Sequence, residues 1–149
     1  SSFAPSGEYA FLNLIEDGST RSEIYRNDVL LHTFSVHFEQ IILDSTTSNY
    51  FIVLGDLGYV FSSGNEQLLV SELPVAKRFF QLNKQVYYYS GSELNYFDAA
   101  TNAFVASDID FTDIGQVNDY TELENATVLA TSKGVWSVDN LKNKTLLME

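Results

Sequence analysis

The 149-residue chain has no cysteine. That excludes disulfides, thiolate metal ligands and a cysteine nucleophile. Cations are scarce as well. Only 8 Lys plus Arg stand against 20 Asp plus Glu, a net charge of −12. Such a surface repels phosphate backbones and anionic lipid, so nucleic acid is not an expected partner. A basic protein patch, a divalent metal or a cationic ligand remains compatible with that charge. Histidine occurs twice and proline twice. No apolar run approaches the ~20 residues of a membrane-spanning helix, so membrane insertion is not expected. No charged-then-apolar signal segment opens the chain. It begins SSFAPSGEYAF, without Met, and reads as cut or processed from something longer.

What is present is apolar and aromatic. Hydrophobic residues make up 45% and aromatics 14%, enough to offset the entropy of ordering one domain. They come in short runs such as YAFLNLI, NYFIVLGD, GYVFS, LNYFD, TVLATS and GVWSVD, each interrupted by Gly, Ser, Asn or Asp. Helical periodicity is scarce. Runs of this length and β-rich composition predict an all-β fold. Both prolines, Pro5 and Pro74, fall outside the runs, as ladders that need every N–H require.

The strands repeat. Tyr25 in SEIYRND, Phe61 in GYVFSSGN and Phe97 in LNYFDAATN are spaced by 36 and 36, and Val138 in GVWSVDNLKN follows 41 later. Each sits in the middle of a strand–turn–strand–turn–strand unit. A further apolar stretch precedes three of them: FEQIIL at 38–43, AKRFFQL at 76–82 and DIGQVND at 113–119. Four strands in roughly forty residues is the size of a propeller blade. The predicted blades are 1–37, 38–75, 76–112 and 113–149, and the first is expected to lack its innermost strand. Four short blades point to part of a larger propeller or a small one, with a β-sandwich as the alternative fold. Open edges invite oligomerisation.

FAPSGEYAF at 3–11 resembles the Pro–Gly turn that opens TolB-like and WD40-like blades. LNYFDAATNAFVAS resembles blades of the YVTN and quinoprotein-like type, in which Asp-Ala-x-Thr-Gly turns between the third and fourth strands. Asn102 replaces that Gly and tolerates the left-handed backbone it supplies. VLATSKGVWSVD is similar to blades of bacterial sensor propellers. The resemblance implies a fold much more than an activity.

Few residues suggest chemistry. Asp108, Asp110 and Asp113, followed by Asp119, Glu122 and Glu124, suggest a calcium loop weakly: hard cations need converging oxygens, and no Gly follows until Gly115. His32 and His37 are expected on opposite faces of one strand, too far apart in direction to share a metal or a substrate. No Ser stands in G-x-S-x-G or S-x-x-K. Tyr87, Tyr88, Tyr89, Tyr96 and Phe97 make either a sugar or peptide platform or blade-to-blade filling. Asn125-Ala-Thr and Asn143-Lys-Thr match glycosylation acceptors. The expectation is therefore no catalytic, cofactor-binding or metal residue. The leading role is a protein-interaction or scaffolding module, whose partner is another protein or the remainder of the propeller. A ligand- or glycan-binding extracellular or periplasmic sensor, and the propeller portion of a larger hydrolase or peptidase, are the alternatives.

Overall fold

The structure, a computed structural model, describes residues 2–3, 9–44, 46–74, 79–82, 84–90, 93–110, 112–140 and 143–149. Every regular element among them is a β-strand, and each four consecutive strands pair in chain order into one antiparallel sheet. The first sheet holds β1 (Ser2–Phe3), β2 (Tyr9–Glu16), β3 (Ser19–Arg26) and β4 (Val29–Phe34). The second holds β5 (Phe38–Asp44), β6 (Asn49–Leu54), β7 (Leu57–Ser62) and β8 (Gln67–Pro74). β9 (Phe80–Leu82), β10 (Gln85–Ser90), β11 (Glu93–Asp98) and β12 (Ala103–Ala106) make the third. The fourth is β13 (Val117–Glu122), β14 (Ala126–Thr131), β15 (Gly134–Asp139) and β16 (Lys144–Met148). These are four blade-like repeats, as in part of a β-propeller. Among the described residues no strand crosses between sheets, unlike the Greek-key connections of most sandwiches.

Two expectations need correction. The first sheet does have a first strand: Ser2 and Phe3 pair with Leu12 and Phe11. The first strand of the fourth sheet is Val117–Glu122 and not 113–119, because Ile114 drops into the core and Gly115 turns the chain with φ +83° before pairing begins. The Pro–Gly turn at 4–8, the stretch 76–78 and the middle of the turn at 90–93 lie outside the described residues.

Turn chemistry explains the short connections. Asn27 and Asp28, at φ 48° and 65°, close the β3–β4 hairpin with two left-handed residues, and Asp17 and Gly18, at 53° and 79°, do the same for β2–β3. That is the type I′ geometry whose twist matches paired strands. The four-residue loops before β6, β8 and β12 each end on a left-handed residue: Ser48 (61°), Glu66 (59°) and Asn102 (53°). Asn102 thus occupies the conformation that glycine holds in the blades it resembles. Aspartates brace two of these loops. Asp44 accepts from the Thr46 amide and the Thr46 and Thr47 hydroxyls, and Asp98 from the Ala100 amide and the Thr101 hydroxyl.

The chain divides into two compact units, residues 1–73 and 74–149. In the first unit, one face of the first sheet meets one face of the second. Tyr9, Phe11 and Ile24 pack against Phe38, Tyr50, Ile52, Leu54 and Phe61. Rings meet edge to face, Tyr9 on Phe61 at 5.5 Å and Phe11 on Phe38 at 5.6 Å, the arrangement that ring quadrupoles favour. β6 is buried at all six positions, as a strand covered on both faces must be. In the second unit, Phe80, Leu82, Tyr87 and Leu94 of the third sheet pack with Ile114, Val117, Leu129 and Val138.

Edge strands carry devices that oppose further pairing. β4, β5, β13 and β16 each hold one unpaired extra residue, namely Leu31, Glu39, Asn118 and Leu147. A bulge bends an edge and spoils its hydrogen-bond row. β1, β9 and β12 have two, three and four residues, and β8 ends on Pro74. Edge-to-edge oligomerisation, expected from the open array, therefore meets an obstacle on every sheet.

Phe11 has no exposed surface and sits 5.0 Å from the Tyr50 ring. Phe11→Ala is expected to lower unfolding free energy by about 3–5 kcal/mol, read from urea denaturation, because a ring-sized cavity opens between two sheets.

Candidate functional site

Of the acidic stretch, Asp108, Asp110 and Asp113 lie in the irregular link between β12 and β13, Asp119 and Glu122 lie in β13 itself, and Glu124 lies in the turn after it. Its carboxylates do not converge. Asp110 Oδ1 accepts from the Thr112 amide at 2.9 Å and the Thr112 hydroxyl at 2.7 Å. Those two bonds, hydroxyl first, hold the Asp110 carboxyl below its ordinary value, and Lys144 adds to the effect. Asp113 instead pairs with the Lys144 ammonium at 2.7 Å. Lys144 also donates to the Asp110 carbonyl, and Lys133 donates to the Thr112 carbonyl. Two lysines from the fourth sheet thus supply positive charge to the loop. Among the described residues no three His, Asp or Glu side chains are arranged to hold a metal.

The loop is also stitched to the β14–β15 turn. Gln116 N donates to Ser132 Oγ, Ser132 N to the Gln116 carbonyl, and Thr131 Oγ1 to the Ile114 carbonyl. Gly115 makes this possible: a Cβ there would lie 2.4 Å from Ser132 Oγ. The stretch with the most carboxylates is therefore a clasp between sheet and link.

The histidines are structural, and they do not share a strand. His32 in β4 lies edge-on to Phe61 at 5.6 Å and donates from Nε2 to the Glu66 carbonyl. His37 lies in the link before β5 and donates from Nε2 to the Leu14 carbonyl at 2.9 Å. Each ring joins two segments that are distant in sequence. The tyrosines split by strand alternation. Tyr87 turns into the core of the second unit, with Tyr96 packed against it, while Tyr88 joins Phe79, Phe97 and Phe104 on the opposite face of the third sheet. Both Tyr87 and Tyr88 are buried, which removes them as a surface platform. Burial, then Tyr96 and Asp108, raises the Tyr87 phenol above its ordinary value. The side chain of Tyr89 lies outside the described residues. Asn125 and Asn143 are exposed in the turns flanking β14 and β16.

One constellation was not singled out in the sequence. On the face of the first sheet turned away from the second, Glu23 is 6% exposed. Its Oε1 accepts from the Tyr25 hydroxyl at 3.0 Å, and its Oε2 lies 3.3 Å from Arg21 Nε. Arg21 reaches on to Glu16 at 2.8 Å. Hydrogen bonding to Glu23, followed by burial, raises the Tyr25 phenol. Ala10, Leu12, Tyr25, Asn27 and Asp28 line a cavity of about 450 Å³ at one end of this face. At the other end Glu16, Arg21, Thr33 and Ser35 border a more polar one of about 580 Å³. The signal was available: a Glu and an Arg two apart in a strand share a face by period.

No protein-family model matches the chain, and no curated protein matches it. Solved structures do. The extracellular domain of the one-component system BT4673 from B. thetaiotaomicron matches over 98% of this chain and 23% of its own, at 10% identity and a TM-score of 0.61. A second structure, described as the extracellular domain of the hybrid two-component system BT4673, gives the same coverages at 12% identity and 0.62. A protein of unknown function from Bacteroides caccae matches over 94% of this chain and 62% of its own, at 15% identity and 0.52. The chain spans less than a quarter of the BT4673 chains. At these identities the likeness shows the fold alone.

Two outcomes test the acidic link. Millimolar calcium is expected to leave the thermal midpoint unchanged; a rise of several degrees, as a ligand at ~100 times its Kd produces, would reassign Asp108, Asp110 and Asp113 to a calcium loop. Thr112→Val is expected to move the Asp110 titration, followed by carboxyl NMR, up toward the ordinary range. A depressed carboxyl contributes stability above its unfolded pKa and loses it as pH falls through the folded value, so the variant should lose that part of its acid sensitivity.

Proposed function

We propose that the chain is a non-enzymatic interaction module, a run of propeller blades whose faces and loops engage a protein partner. The observation that carries this reading is where its chemically capable side chains go. Both histidines donate to backbone carbonyls, Asp44 and Asp98 brace loops, and Asp113 is spent on Lys144. A general base needs an open line to a substrate, and these groups are turned to the fold. The charge of −12 favours a basic partner surface.

In this reading 1–37, 38–75, 76–112 and 113–149 are four blades belonging to a larger propeller. A second reading is a sensor propeller outside the cytoplasm, extracellular or periplasmic, that takes a small ligand or glycan. The fold likeness to the BT4673 extracellular domain favours it. Either setting needs no cofactor and no nucleic acid. Among the described residues no helix is long and apolar enough to cross a membrane.

Immobilised chain, compared with an unrelated protein of equal net charge, is expected to retain a specific protein partner at physiological salt, with retention falling as salt rises. The reading fails if retention matches the control, or if the purified chain turns over ester, amide or glycoside substrates.

A further inference from the structure

The two cavities on the outer face of the first sheet differ in how their charges are matched. In the larger, of about 580 Å³, Arg21 lies between Glu16 and Glu23 at 2.8 and 3.3 Å, so the protein supplies its own counter-charge. The smaller, of about 450 Å³, falls in the ~300–1,000 Å³ range of pockets that take a small ligand group. Ala10 and Leu12 of β2 give it an apolar lining, Tyr25 of β3 a ring, and Asn27 and Asp28 of the β3–β4 turn their polar groups. All five come from one paired ladder, in which Tyr25 stands opposite both Ala10 and Leu30. Leu30 is 48% exposed, so this end of the face is open to solvent.

Asp28 is the unmatched charge of this cavity. Among the described residues its carboxylate has no ion pair and accepts no hydrogen bond. Residues 1–37 hold two cations, and both are engaged elsewhere: Arg21 as above, and Arg26 with Glu66 at 2.9 Å. The surroundings of Asp28 are also held in place. The left-handed pair Asn27 and Asp28, at φ 48° and 65°, fixes the turn. The Tyr25 hydroxyl donates to Glu23 Oε1 at 3.0 Å, and Glu23 is 6% exposed beside Arg21, so the ring is anchored at its polar end. An apolar lining, a fixed aromatic ring and an unmatched carboxylate meet at one opening.

We infer that this cavity receives an arginine side chain presented by a basic protein partner. The inference rests on the reading of the chain as an interaction module and names the group that module recognises. Each part of an arginine has a counterpart here. Its methylene stem lies along apolar surface, as long cationic side chains do, and Ala10 and Leu12 supply that surface. Its guanidinium is attracted to the face of an aromatic ring, which Tyr25 supplies. Its paired N–H donors match a carboxylate in two parallel bonds, and Asp28 is free to accept them. An anionic ligand would be repelled by Asp28, and an uncharged apolar one would cover that carboxylate without pairing it, which costs free energy. The net charge of −12 draws a basic surface toward the site.

The probe is a blocked Gly-Arg-Gly tripeptide, titrated into the full chain and followed by backbone amide NMR. Its control carries citrulline, which keeps the shape of arginine without the charge. The arginine peptide is expected to shift the amides of Ala10, Leu12, Tyr25, Asn27 and Asp28 saturably, with a Kd in the millimolar range that rises with salt. Asp28→Asn, which keeps a residue tolerant of the left-handed turn, is expected to weaken binding by about two- to five-fold, the scale of an exposed ion pair. Tyr25→Leu should weaken it by a similar factor through loss of the ring. Should Tyr25→Leu unfold, Asp28→Asn carries the test alone. Citrulline peptide binding as tightly, an Asp28→Asn chain titrating like the wild type, or shifts confined to other residues overturns the inference. Capture of a protein partner is scored separately. Capture without peptide binding sinks this inference alone, whereas peptide binding without capture sinks the module reading and leaves the arginine pocket standing.

Discussion

A four-stranded antiparallel sheet has two faces, and in this chain neither can be left to water cheaply. Strand alternation sends Phe11 and Ile24 to one side of the first sheet and Leu12 and Tyr25 to the other. In each compact unit one apolar face of a sheet is laid against the apolar face of the next. Burial at ~25 cal/mol per Å² acts between sheets, and hydrogen bonding within each sheet keeps the faces flat enough to meet. The aromatic content follows from this. Rings fill the gap between sheets at Tyr9, Phe11, Tyr50, Phe61, Phe80 and Tyr87.

The polar residues serve the same arrangement from its margins. Asn13 bonds the Phe38 amide and carbonyl, and Ser22 reaches the Val36 carbonyl, so the link between the first two sheets is held by side chains buried at its border. His37 adds a bond to Leu14 on that same link. In the second unit the corresponding work falls to Thr131, Ser132, Lys133 and Lys144. A backbone segment that must pass from one sheet to the next has no ladder of its own, and its N–H and C=O groups need partners from elsewhere. This is why residues that look reactive in the sequence are found bonded to carbonyls and amides.

Much of the fold was legible because its signals are local. The 36-residue spacing of Tyr25, Phe61 and Phe97 places each one residue before a strand end, and the left-handed tolerance of Asn102 is a property of one side chain. What escaped depends on context. β1 is two residues long, too short for any period to show. The start of β13 was misplaced because DIGQVND is apolar for two reasons: Ile114 plugs the core from a link, whereas Val117 begins a strand. The acidic residues depend on context in the same way. Asp108, Asp110 and Asp113 are close in sequence, but whether carboxylates converge depends on what faces them, and two lysines arrive from residues 133 and 144. The Arg21–Glu23–Tyr25 network was hidden among ordinary alternating polar positions.

Each sheet is a meander of consecutive strands, and that sets how the molecule can come into being. Among the described residues, no hydrogen-bonded pair of strands is separated by another strand in the chain. The loops to be closed are a few residues long, so the entropy lost before each new ladder forms is small. All-β proteins are ordinarily slow because their strands find partners far away in sequence. Here only the docking of finished sheets is long-range. A sheet can be assembled from about forty residues of nascent chain and then wait, as an intermediate with one or both faces bare, for the next sheet to be synthesised. Bulged edges matter most in that interval, when the waiting sheet is the species with most reason to pair wrongly.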